Sequence, residues 1–188
     1  MTAMRAQLLA LFVARSFQHS DQPIFKLAGG GMSRFYIDCK KTVLTAPGAY
    51  LAGRLVYDRV APLAPDAVGG LTLGADPIAV ATSVVSQIEG RPIAAFIVRK
   101  EAKGHGTQSW IEGGLARGAR VVVLDDVVTT GGSTLKAIEK LRAHGCPIAL
   151  ALALIDRGEG GRAAIEAAGV PFDALFTLDD LRAQAAKA

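Results

Sequence analysis

Two adjacent carboxylates, Asp125 and Asp126, stand between an apolar run, Val121-Val122-Val123-Leu124, and a stretch rich in hydroxyls and glycine, Val127-Val128-Thr129-Thr130-Gly131-Gly132-Ser133-Thr134. Ionised carboxylates only accept hydrogen bonds, so they want hydroxyls or a cation. The residues after them offer the reverse. N–H groups at a helix start lack an intrahelical partner, glycines let that backbone approach a ligand, and hydroxyls add donors, so residues 129–134 suit a phosphate. The loop lacks the lysine of GxxxxGK[ST] and does not fit GxGxxG, which argues against a nucleoside triphosphate. A ligand with a phosphate at one end, a diol in the middle and a metal-chelated anion at the other would satisfy both halves. An acidic strand end followed by an ordinary capped turn is the plain alternative.

Two further groups could do chemistry. Arg99-Lys100-Glu101-Ala102-Lys103-Gly104-His105-Gly106 packs four potential cations into seven residues beside two glycines. Such a cluster is usually solvated surface, but it can also meet an anion, and the glycines give a closing loop its hinge freedom. Arg157 follows the apolar run 148–155, where loops at strand ends form the crevice of an open α/β sheet. Its guanidinium fork suits a carboxylate bidentately, as lysine could not. Lys26, alone between apolar residues, reads as the exposed side of an edge strand.

The elements that must hold these residues follow from periodicity and breakers. Apolar positions on one side predict a helix over 4–17. Strands over 24–28 and 34–38 flank Gly29-Gly30-Gly31 and predict a hairpin. A helix over 47–60 precedes a strand at 67–72, a glycine turn 70–74 and a helix from about 76. Buried strands are expected over 92–98, over 121–124 with the two carboxylates ending the strand, over 148–155 and over 172–176. Helices are expected over 135–143, 158–168 and 178–186. This alternation from residue 67 onward predicts an α/β fold with a Rossmann-like parallel sheet.

The chain has 188 residues, 51% of them hydrophobic, which predicts a single domain over 1–188, with an N-terminal helix and hairpin in 1–40 and the core sheet in 67–177. The net charge of +4 comes from scattered residues apart from the cluster at 99–105, which fits an anionic small substrate better than a nucleic acid. Cys39 and Cys146 are far apart with no CxxC, as expected in a reducing cytoplasm. No uninterrupted apolar segment reaches about 18 residues, so no membrane span is expected. The patch at 8–13, flanked by Arg5 and Arg15, predicts an amphipathic helix in place of a signal peptide.

The stretch 121–134 resembles the phosphoribosyl diphosphate signature of type I phosphoribosyltransferases. Within that superfamily the 99–106 cluster resembles the flexible catalytic loop of the orotate phosphoribosyltransferases, and Arg157 of Asp156-Arg157 resembles the arginine that pairs with their substrate's carboxylate. Phe25-Lys26-Leu27 and Ser33-Arg34-Phe35-Tyr36 resemble their N-terminal hood, with Ala28-Gly29 where a Ser-Gly pair is usual. The resemblance implies that Asp125 and Asp126 take the ribose hydroxyls and that Val127, Val128, Thr129, Thr130, Gly131, Gly132, Ser133 and Thr134 take the 5-phosphate. It implies that Arg99, Lys100, Lys103 and His105 bind the diphosphate, partly across a homodimer, and that Lys103 and His105 join Asp125 and Asp126 in catalysis. Lys26, Thr129 and Arg157 would contact orotate, with Phe35 and, less firmly, Tyr36 at the mouth of the base pocket. Mg²⁺ would be held mainly by diphosphate and ribose hydroxyls, with no direct protein ligand. Some family members carry a lysine in the loop Gly70-Leu71-Thr72-Leu73-Gly74, which faces the diphosphate often with unusual peptide geometry; this chain has none. The rivals are a purine phosphoribosyltransferase, which needs no Arg157, and a regulator sensing phosphoribosyl diphosphate.

Overall fold

The computed structural model describes residues 3–26, 30–101 and 110–187. In chain order the elements are α1 (Ala3–Arg15), β1 (Phe17–His19), β2 (Phe25–Lys26), β3 (Met32–Ser33), β4 (Phe35–Ile37), α2 (Lys40–Val43) and α3 (Ala46–Val60). After a 3₁₀ turn come β5 (Ala67–Leu71), α4 (Asp76–Ile88), β6 (Ala94–Val98), β7 (Ile111–Glu112), β8 (Val121–Val128) and α5 (Gly132–His144). The chain closes with β9 (Ile148–Asp156), α6 (Gly161–Ala167), β10 (Phe172–Thr177) and α7 (Leu178–Ala185).

Six strands form the central sheet in the order β10-β9-β8-β5-β6-β7, all parallel except β7, which runs antiparallel to β6. The apolar runs make this sheet because they can be buried on both faces. In β8, Val122 and Leu124 join Leu152 and Leu154 of β9 in a core completed by α1, α3, α4 and α7. Val121 and Val123 point the other way, where Ala151 and Ala153 join Ala137, Ile138 and Leu141 of α5. The Ala-Leu alternation of β9 therefore puts large side chains against four helices and small ones against α5. The α/β reading with a parallel sheet holds.

Three local expectations change. The carboxylates do not end their strand: β8 continues through Asp125 and Asp126 to Val128, paired with β9 as far as Asp156. Helix α5 starts at Gly132, so Gly132, Ser133 and Thr134 form its first turn instead of a loop before it. The expected hairpin is really two ribbons, with β2 pairing to β3 and β4 pairing to β1. Helix α1 stops at Arg15, and the polar residues after it supply β1, an edge that captures Phe35–Ile37.

Candidate active site

The chain leaves β5 toward β6 and leaves β8 toward β9, on opposite sides, so the strand order reverses between these two neighbours. The crevice outside the carboxyl ends of strands at such a reversal is the ligand site of open α/β sheets. A cavity of about 650 Å³ opens there.

Part of its lining is the segment after β8. Thr129, Thr130, Gly131, Gly132 and Ser133 line the cavity, with Val127 and Val128 beside them. Gly131 lies at φ 83° and starts α5 without a side-chain cap. The first bond of the helix goes from Leu135 N–H to the Gly131 carbonyl at 2.8 Å, so the N–H groups of residues 132–134 have no carbonyl four residues back within the helix. An uncapped thirteen-residue helix with this start is built to receive an anion.

The two carboxylates do different things because neighbours in a strand point to opposite faces. Asp125 lines the cavity and is 8% exposed. Its Oδ2 accepts a hydrogen bond from the Thr134 hydroxyl at 2.7 Å, and its Oδ1 accepts one from the Asp126 N–H at 3.0 Å. Burial pushes this carboxyl up to about 7 against the Thr134 bond, which lowers it, and the nearby Asp126 charge adds to the rise. Thr134 itself is 2% exposed and spends its hydroxyl on Asp125, so it does not line the cavity as a phosphate donor. Asp126 turns toward the other layer. Its Oδ1 accepts from the Val127 N–H at 3.0 Å, and Lys40 Nζ lies 3.9 Å from its Oδ2. Burial raises its pKa and Lys40 opposes that. A Cβ on Gly74 would meet Asp126 Oδ1 at 2.4 Å, so the turn after β5 can pass this close only with glycine there. In that turn the Thr72–Leu73 peptide is cis, the unusual geometry expected of the loop 70–74.

Lys26 on β2, Tyr36 on β4, Arg157 after β9, and Glu159 line the same cavity. Arg157 is 7% exposed; its Nε donates to Glu159 at 2.8 Å and its Nη2 to the Ser33 hydroxyl at 3.0 Å. The two hood aromatics exchange their expected ranks. Tyr36 lines the cavity, while Phe35 points away, stacked on Phe17 and His19 with Arg182 over its ring at 5.2 Å.

Arg99 and Lys100 do not line this cavity. They border a neighbouring one of about 420 Å³ with Leu71 and Trp110, and the two cavities share Ser133 and Lys136. Arg99 Nη1 pairs with Glu112 at 3.2 Å, and the Trp110 ring carries Lys140 at 4.2 Å. Lys103 and His105 lie outside the described residues. Sequence reasoning missed Lys40, Lys136, Ser33 and Glu159. Lys136 could have been found from its place one turn into α5, had the helix start been set at Gly132; Lys40 carried no local signal.

Similarity to known proteins agrees with this geometry. The model of the phosphoribosyl transferase domain family matches residues 51–168. The orotate phosphoribosyltransferase of Aquifex aeolicus is 49% identical over 177 residues, 94% of this chain and 97% of that protein. That of Thermosynechococcus vestitus is 51% identical over 181 residues, covering 96% and 94%. The crystal structure of Mycobacterium tuberculosis orotate phosphoribosyltransferase in complex with 5-phospho-alpha-D-ribosyl 1-diphosphate superposes with a TM-score of 0.78 at 33% identity, covering 96% of this chain and 93% of that one. A strand-order reversal holding this loop, together with such identity along almost the whole length of both partners, shows that the chain belongs to the orotate phosphoribosyltransferase family of phosphoribosyl transferase domains.

Proposed function

We propose that this phosphoribosyltransferase moves the 5-phosphoribosyl group of phosphoribosyl diphosphate onto orotate, giving orotidine 5′-phosphate and diphosphate in pyrimidine synthesis. The observation that carries the proposal is one cavity lined together by an uncapped helix start, the buried Asp125 and the Arg157 fork. The 5-phosphate sits on the N–H and hydroxyl donors of residues 129–133. Asp125 accepts from ribose hydroxyls, with Asp126 behind it, and fixes the sugar as C1 gains positive character. Arg157 takes the orotate carboxylate, with Lys26 and Thr129 on the base. The C1–O bond to diphosphate breaks, the orotate ring nitrogen forms the new bond to C1 from the opposite face, and no covalent enzyme nucleophile is needed. Lys103 and His105, with Arg99 and Lys100, meet the charge growing on the leaving diphosphate.

Mg²⁺ belongs to this reading through the substrate. The cavity lining supplies the carboxyls of Asp125 and Glu159, the latter already paired with Arg157, so an ion would be carried in on the diphosphate and ribose oxygens and not held by a set of protein ligands. When bound it supplies charge to the leaving group. The resemblance of the 99–106 cluster to a loop shared between subunits supports a homodimer with shared sites. So does an apolar stripe on α4, where Val80, Val84 and Ile88 are 53%, 56% and 75% exposed. A reducing, cytoplasmic setting suits the two free, buried cysteines.

The deciding assay supplies the purified protein with phosphoribosyl diphosphate and Mg²⁺ and follows loss of orotate, uracil, adenine, hypoxanthine and xanthine in parallel. Consumption of orotate alone is expected. Turnover of a purine would overturn the base pocket while keeping the phosphate loop, and tight phosphoribosyl diphosphate binding without turnover would point to a sensor.

A further inference from the structure

Arg157 is held before any base arrives. Its side chain is 4% exposed, and two partners already use its donors: Glu159 on Nε at 2.8 Å and Ser33 on Nη2 at 3.0 Å. A guanidinium has five N–H donors. Two are taken, which leaves both protons of Nη1 and one of Nη2, the set that an end-on bidentate carboxylate needs. Among the described residues, the buried side-chain atom left without a partner is Asp76 Oδ1, so no Arg157 nitrogen is both sealed off and unpaired, and Arg157 lines the cavity.

The two partners reach Arg157 from different places. Glu159 is brought back to it by a turn at Gly158, whose φ of +71° favours glycine and whose N–H donates to Asp156 Oδ1 at 2.9 Å. Asp156 is thereby occupied, with Arg162 Nε 3.5 Å from its other oxygen, and leaves Arg157 to Glu159. Ser33 comes from β3, the strand paired with β2, so the serine that holds Arg157 and the Lys26 that lines the cavity share one ribbon.

We propose that Glu159 and Ser33 are positioning residues that fix the plane of the Arg157 fork and so set the preference for a base bearing a carboxylate. The inference rests on the orotate reading above. A fork held in plane lets a carboxylate bind without ordering a long, rotamer-rich side chain, whereas a base lacking the carboxylate cannot use the two donors and gains nothing from their alignment. Glu159 also balances the buried positive charge when the cavity is empty, so the site does not attract every anion alike.

The test measures KM for orotate, KM for phosphoribosyl diphosphate, kcat and the orotate-over-uracil ratio of kcat/KM for wild type, Glu159→Ala, Glu159→Gln and Ser33→Ala. Losing a hydrogen bond to a charged group predicts a rise of about tenfold in KM for orotate in Glu159→Ala, and a smaller one of about threefold in Ser33→Ala. The loss should fall mainly on orotate KM and on the orotate-over-uracil ratio, and Glu159→Gln, which keeps an acceptor, should recover most of it. Orotate KM in Glu159→Ala within about twofold of wild type, or an equal loss in both KM values and kcat, overturns the inference while the wild type goes on consuming orotate. A wild type that does not consume orotate overturns the functional reading and this inference with it.

Discussion

The part of the cavity proposed to take phosphate and ribose comes from one unbroken segment, residues 125–136, whereas the part proposed to take the base is assembled from β2, β3, β4 and the turn after β9. In the first, the bond from Thr134 to Asp125 joins residues 9 apart; in the second, the bond from Arg157 to Ser33 joins residues 124 apart. A phosphate is the same on every phosphoribosyl donor, so a short strand-loop-helix unit is sufficient to bind it. The base differs from one reaction to another, and its recognition is built from segments that can change independently of the loop. The comparison predicts that damage to the first end lowers every reaction, and damage to the second changes only which base is used.

The largest effect is expected at the middle of the unbroken segment. Asp125→Asn keeps the shape and removes the charge proposed to face C1, and should lower kcat/KM for phosphoribosyl diphosphate about 1000-fold with every base tested. The same variant has a second signature in the free protein. Because the folded-state pKa of Asp125 is raised from 3.8 to about 7, the folded chain keeps a proton that the unfolded chain releases in that window. Its contribution to stability is therefore full below the lower value and is lost as pH rises through the higher one. Denaturant melts between pH 4 and 8 should show that decline in wild type and a flatter profile in Asp125→Asn. A variant that lowered only orotate turnover would break the proposed division between the two ends.

Arg157→Ala tests the other end. It should lower kcat/KM for orotate roughly 100-fold, leave KM for phosphoribosyl diphosphate close to wild type and narrow the preference over uracil. An unchanged preference would take Arg157 out of the base site.

The same contrast governs what could be read from residues alone. The strand, the acidic pair and the hydroxyl-glycine run were legible because the whole unit is contiguous, and its apolar period and its breakers announce it. Arg157 was legible for a similar reason, as an arginine at the end of an apolar strand. Its partners were not, since nothing local to Ser33 or Glu159 says that they meet the same guanidinium. The carboxylates were expected to end β8, because acidic residues are poor strand formers. Pairing with β9 overrides that preference and carries the strand to Val128. The ranks of Phe35 and Tyr36 depended on the register of β4 against β1, and a one-residue slip in register exchanges the faces.

A smaller effect is expected at the α4 stripe, which tests whether the two ends of one chain suffice. Val84→Glu or Ile88→Glu puts a charge on a face that a second copy would cover, and should weaken self-association by roughly tenfold or more in sedimentation experiments. If Arg99 and Lys100 serve the partner's cavity, activity per chain should fall as the dimer separates. Full activity from a monomeric variant would confine the whole site to one chain.

The smallest effect sharpens the reading of the phosphate end. Thr134 is hidden from the cavity, so Thr134→Val changes no contact with substrate and acts only through Asp125. The hydroxyl donates to the carboxylate and thereby favours its charged form. Valine removes that bond at nearly the same volume, so the proton is held more firmly and the acid limb of kcat/KM for phosphoribosyl diphosphate should move up by about one pH unit. At pH well above the limb the variant should approach wild type, and Thr134→Ser, which keeps a hydroxyl, should restore the profile. A uniform loss at every pH would mean that Thr134 supports the turn mechanically. In that case the ionisation of Asp125, and with it the charge placed beside C1, would be set by burial and by Asp126 alone.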